Sequence, residues 1–194
     1  MKTSLNIKQY IQKFVSPKFS PEKDSLPFRT ITKTYPAGTV LTAIGEIEKR
    51  AFLILSGKVK IGVYNDKMEL RIINFFFAGQ FISAYSSFLA QMPTDVTLIT
   101  FSECTVEIID HDQIMEACEE GNVIALKLMF HETKKAYIQN STRAKELMVV
   151  SPEEMYKSIV NDRMELFSEV ELQEIAAYIN VTPETLSRIR KKNK

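Results

Sequence analysis

From about Phe28 to Ile109 the apolar residues alternate with polar ones or gather in short runs rich in Val, Ile and aromatics, and each run ends at a turn signal. Those signals are Pro36-Ala37-Gly38, Gly45, Ser56-Gly57, Asn65-Asp66 and Ala78-Gly79. A period near two, broken by glycine-bearing turns with no long helix between them, predicts closely spaced strands in an antiparallel barrel or roll. The residues up to about Ser25 read as helix and connector. Beyond Asn122 the period changes, with no glycine after Gly121 and no proline before Pro152. Val123, Phe130, Tyr137 and Ala144 form one row, and Leu126, Thr133, Asn140 and Leu147 lie three residues on, so all eight share one stripe of a long helix. Such a stripe can pack on the chain's own roll or on a copy of itself. Its length and the alternation of Thr133 and Asn140 with apolar knobs favour the seam of a parallel homodimer, in which a buried Asn fixes register.

Ser151-Pro152-Glu153-Glu154 then starts a new helix, with a hydroxyl N-cap, proline at the first helical position and two acids in the first turn. The signal divides the chain into 1–121 (roll with its N-terminal helix), 122–148 (dimerisation helix) and 149–194 (C-terminal helical domain). In the last segment "ELQEIAAYIN" predicts an amphipathic helix with Leu172, Ile175, Ala176 and Ile179 inward, and Thr182-Pro183-Glu184 starts another. Ala176 is small where two helices would cross, and Asn180 tolerates a left-handed turn. Val181, Leu186 and Ile189 supply an apolar wedge. A helix-turn-helix follows, whose second helix carries Pro183, Glu184, Ser187, Arg188 and Lys191 on its outward face.

Charge adds meaning to that helix. The formal net charge is only +1, so attraction to a polyanion has to come from a local patch. The patch stands at the end of the chain: Arg188, Arg190, Lys191 and Lys192. Arg188 can read guanine, Glu184 can accept from cytosine and Ser187 is adaptable. Thr182 caps the helix beside the phosphates, which Arg190, Lys191 and Lys192 would serve. No run approaches a membrane span or an export signal, so a cytoplasmic protein is expected.

Catalysis and metal chemistry find little material. Cys104 and Cys118 are too few for a cysteine-held cluster, and His111 and His131 stand apart with no partner at ligand spacing. A metal enzyme of the cupin sort, which is also built on a small roll, needs several histidines and a carboxylate together. A Ser-His-acid or Cys-His arrangement is likewise missing. No cofactor, metal or enzymatic activity is expected.

"YPAGTVL", "AFLILSGKVKI" with Gly57, "FFFAGQFISAYSSFL" and above all "LQEIAAYINVTPETLSRIRKK", in this order, resemble the CRP/FNR family of bacterial transcription regulators. The resemblance implies an α+β chain: a cyclic-nucleotide-binding-like jelly roll, a homodimer along the long helix and a DNA-binding helix-turn-helix, with RNA polymerase as a candidate further partner. It also places an effector region at Phe81, Ser83, Ala84, Tyr85, Phe88, Thr94 and Asp95, with Met92 beside it. Relatives that bind cyclic AMP carry Gly-Glu where this chain has Ser83-Ala84, and Arg-Ser where it has Thr94-Asp95. Both anchors are missing, and Asp95 would repel a phosphate. Control by cyclic AMP is therefore not expected, and the effector stays unnamed. In many relatives an arginine stands early in the recognition helix where this chain has Pro183, so the operator should differ, and no wing is expected after that helix. The expected function is a homodimeric regulator reading a palindrome in double-stranded DNA. The alternative keeps the roll as sensor or scaffold and gives the C-terminal domain a protein partner.

Overall fold

A computed structural model describes residues 5–193 of the chain. Two compact units emerge: Met1–Ile61 with Phe75–Tyr137, and Gly62–Asn74 with Ile138–Lys194. Met1–Ser4 and Lys194, which the expected domain limits include, lie outside the described residues.

The strands are β1 (Thr30–Tyr35), β2 (Val40–Thr42), β3 (Arg50–Ser56), β4 (Lys58–Tyr64), β5 (Leu70–Phe77), β6 (Phe81–Ile82), β7 (Thr97–Thr100) and β8 (Cys104–Asp110). They form two four-stranded sheets, ordered β1-β8-β3-β6 and β2-β7-β4-β5. Pairing is antiparallel: β1 runs against β8 from Thr30 opposite Ile109 to Tyr35 opposite Cys104, and β3 lies on the other side of β8. This is the antiparallel roll that the period-two pattern predicts, in the jelly-roll form that the resemblance implies. The turn signals act as the sequence suggests, since Gly38, Gly45, Gly57 and Gly79 all have positive φ. At Asn65 the mechanism differs, because its side chain accepts from the N–H groups of Lys67 and Glu69 while Met68 adopts the left-handed conformation.

Gly57 is the tightest of these turns. A Cβ there would stand 2.1 Å from the carbonyl oxygen of Glu103 and 2.6 Å from the Cα of Cys104. Cys104 itself is buried, which pushes its thiol up to about 11, whereas Cys118 is half-buried, and both are free. A thiol reagent at pH 8 is expected to label Cys118 well before Cys104, as read by mass spectrometry of the native protein.

In the first unit Phe52, Ile54, Leu98 and Val106 fill the space between the sheets, and Leu53, on the other face of β3, packs with the helices. At one flank sits α1 (Ile7–Tyr10), capped by Asn6 and Gln9 and continued by one wide turn over Ile11–Val15. The buried Glu107 carboxylate accepts from the Ile7 N–H at 2.8 Å, an acid at a helix N-terminus. Then come α2 (Tyr85–Ala90), α3 (His111–Glu119) and α4 (Val123–Val149). Ala125 and Leu128 of α4 are buried in the cluster holding Ile7, Tyr10 and Phe88. The Tyr10 hydroxyl donates to Glu132 of the same helix at 2.6 Å.

The second unit holds α5 (Pro152–Asp162), α6 (Glu165–Glu169), α7 (Leu172–Tyr178) and α8 (Pro183–Lys192). Ser151 and Glu154 complete a capping box at the start of α5. Met155, Ile159, Leu166, Ile175, Ala176, Ile179 and Leu186 are buried together with Tyr178 in a small core. Among the described residues no helix is long and apolar enough to cross a membrane. No group of three or more metal-ligating side chains comes together among them either.

Candidate nucleic-acid interface and effector region

Helices α7 and α8 meet across a turn closed by two backbone hydrogen bonds. Val181 N–H donates to the Ala176 carbonyl at 2.9 Å and Asn180 N–H to that of Ala177 at 3.2 Å, while Asn180 has φ of 59°. This is a Schellman close with asparagine in the left-handed position. Ala176 is fully buried at the crossing, Leu186 is 1% exposed, and Val181 and Ile189 are half-buried beside it. Leu172 departs from the expected inward set: at the first turn of α7 it remains 44% exposed. Thr182 caps α8 by accepting from the Thr185 N–H at 3.3 Å.

The outward face of α8 presents Pro183, Glu184, Ser187, Arg188 and Lys191, all exposed. Glu184 is held below the ordinary carboxylate range by its own backbone N–H and the Thr182 hydroxyl, with Arg188 adding attraction. It therefore stays an acceptor at neutral pH. Arg188 lies one turn on, with Nη2 donating to Thr185 at 3.2 Å. The two remaining candidates have partners within their own unit. Arg190 is half-buried, its guanidinium 5.9 Å from the Phe167 ring centroid, and Lys192 Nζ pairs with Glu153 Oε2 at 2.9 Å. That pair links the end of α8 to the start of α5, a contact between residues 39 apart that periodicity cannot reveal.

Glu153 is in turn held below its ordinary range, first by Lys192 and then by Lys157. A carboxyl depressed in the folded state adds stability above its unfolded pKa, and that stability is lost as pH falls through the folded value. Lys192→Ala is expected to raise the Glu153 titration midpoint in a carboxyl carbon-13 NMR experiment. An unmoved midpoint would mean that the pair does not persist in solution.

All eight residues of the α4 stripe are exposed in the single chain. Phe130 is 72% and Tyr137 73% exposed, and Val123, Leu126 and Leu147 are also open. Five large apolar side chains thus stand bare along one helix. Thr133 has a second engagement: its hydroxyl lies 2.7 Å from that of Tyr85.

The effector region splits in two. Phe81 and Phe88 are buried in the core, where Phe81 meets Tyr10 edge-on with centroids 4.9 Å apart and Phe88 meets His111 at 5.1 Å. Ala84 is buried at the start of α2, the Ser83 hydroxyl donates to the Arg50 carbonyl at 2.9 Å, and Tyr85 stacks on Phe88. Thr94 is buried and Asp95 exposed, but Thr94 joins the loop at Gly45 and Glu46 through two backbone bonds of 2.8 Å. Met92 is 63% exposed.

Sequence reasoning missed the polar centre beneath α2. Glu48 is buried, and its carboxylate accepts from the Thr42 hydroxyl and, at 2.9 and 3.2 Å, from the backbone N–H and Nε of Arg50. Its own N–H donates to the Ser87 hydroxyl at 2.9 Å, and Gln91 donates to its carbonyl at 3.1 Å. Glu48-Lys49-Arg50 is a run of three charged residues in the sequence. Period two, however, puts Glu48 and Arg50 on the same side as buried Phe52 and Ile54, which is the signal that was available.

Residues 32–121 match the cyclic nucleotide-binding domain family. This roll, long helix and set of C-terminal helices share their fold with solved regulator structures of the CRP/FNR type. The c-di-GMP responsive global regulator CLP of Xanthomonas campestris superposes with a TM-score of 0.65 at 19% identity, over 84% of this chain and 86% of that one. FixK2 from Bradyrhizobium japonicum gives 0.67 at 12% identity, over 84% of each chain. A CooA mutant from Carboxydothermus hydrogenoformans gives 0.68 at 15%, over 98% of this chain and 86% of that one. No curated protein matches in sequence. Of the similar solved structures, CLP is named a global regulator and the Thermus thermophilus protein a catabolite activator.

Proposed function

We propose that this chain is a DNA-binding transcription regulator that acts as a homodimer and reads a palindromic operator through α8, without control by cyclic AMP. The observation that carries the reading is the capped α7-turn-α8 unit, which leaves Glu184, Ser187, Arg188 and Lys191 on one exposed face. The bare stripe on α4 supports pairing with a second copy, and two copies double a basic patch that is weak in one chain. The missing anchors at Ser83-Ala84 and Thr94-Asp95 argue against a cyclic nucleotide. So does Glu48, a carboxylate already satisfied within the protein, below the helix where a phosphate would be expected.

Base and phosphate roles separate by mutation. Arg188→Ala is expected to cost about 1–3 kcal/mol per half-site and to relax preference at one base pair. Lys192→Ala is expected to weaken all sequences about equally and to reduce the salt slope by about 1. Binding titrations on matched and mismatched duplexes at several salt concentrations measure both, and identical behaviour of the two variants would refute the division of roles.

A further inference from the structure

The second unit holds a buried arginine with no evident role in its core. Arg143 lies on α4 with its side chain 10% exposed. Its Nη2 donates to the backbone carbonyl of Tyr178, its Nη1 to Glu146 at 3.2 Å, and its Nε has no hydrogen-bond partner among the described residues. The guanidinium carbon stands 3.9 Å from the centroid of the Tyr178 ring, a close cation-π contact. Arg163 reaches the same side chain, with Nη1 3.3 Å from the Tyr178 hydroxyl and 3.0 Å from Asn74 Oδ1.

Tyr178 is the last residue of α7, four residues before the Thr182 cap of α8. Its carbonyl is one of the acceptors that a helix C-terminus leaves without an internal partner, at the negative end of the dipole. Arg143 therefore fastens the point from which the turn and the reading helix depart, and it does so from the long helix. An apolar side chain of similar length would fill the same space without burying a charge or leaving an N–H unsatisfied. What it could not do is fix direction, because only a planar guanidinium bonds the carbonyl and lies close to the ring at once.

We infer that Arg143 is a positioning residue that sets the angle of α8 against α4, and so the half-site spacing which the dimer accepts. The inference rests on the proposed regulator reading. The two reading helices of a dimer must enter grooves about one helical turn apart, so a loosened joint widens the range of spacings tolerated.

The test uses the full-length protein and a set of duplexes that carry the selected palindrome with its spacing altered by up to two base pairs, beside a single half-site. Wild type is expected to disfavour the altered spacings by about tenfold or more. Arg143→Met, which keeps length and apolar stem, is expected to narrow that preference to about threefold or less while half-site affinity stays within about twofold. Arg143→Lys, which keeps charge but not the planar fork, is expected to narrow it as well and covers the case in which the Met variant does not fold. Thermal melting separates loss of fold from loss of aim. Unchanged spacing preference in a folded variant would overturn the inference. Absence of any palindrome for the wild type would overturn the regulator reading, and this inference with it.

Discussion

Replacing both Phe130 and Tyr137 with Glu is expected to convert the protein to a monomer and to lower its affinity for a palindromic duplex by about a hundredfold to ten-thousandfold. Both side chains are largely exposed in the single chain, so the fold itself has little to lose. In a paired seam each would be buried, a contribution of about 1.5–3 kcal/mol per ring, and glutamates facing one another across it would repel. The affinity falls because the second half-site is then no longer reached at the high effective concentration that a linked partner provides. Sedimentation velocity and duplex titration read the two effects separately. A double variant that stays dimeric would place the seam elsewhere and return the stripe to packing within one chain.

The second large effect is on the roll. Gly57→Ala is expected to destabilise the protein by about 3–5 kcal/mol, lowering the melting temperature by roughly 10 °C. Two causes combine: a φ of 88°, where a Cβ is disfavoured, and a built Cβ 2.1 Å from a backbone oxygen that cannot move without breaking the β8 edge. Gly38, also at positive φ but with open space around its Cβ, serves as the control, and its Ala variant should lose clearly less. Equal losses at the two sites would show that backbone conformation alone, and not the contact with Glu103, sets the penalty.

The roll was legible because its turns are local. Gly38, Gly45, Gly57 and Gly79 announce left-handed positions in the sequence itself, and the chain has to reverse wherever they stand. The C-terminal turn was legible for the same reason, since Asn180 and the Thr182-Pro183 start are fixed by their neighbours within four residues. The stripe from Val123 to Leu147 followed from helical period. What stayed hidden depends on partners distant in sequence. Glu48 becomes an interior acceptor only because Ser87 of α2 and Gln91 just after it arrive against it. Lys192 looks like a free basic residue until the start of α5 supplies Glu153. Arg143 lies in a mostly polar and charged stretch of α4, Ser141 to Glu146, and only the end of α7, some 35 residues on, buries it.

The most direct test of the central claim is selection of bound duplexes from a random pool by the purified protein at near-physiological salt, with sequencing before and after enrichment. The proposed function requires a palindrome whose half-sites lie about one helical turn apart. Recovery of no sequence above background by a protein that is folded and dimeric would contradict it, and would leave the C-terminal unit as a surface for a protein partner.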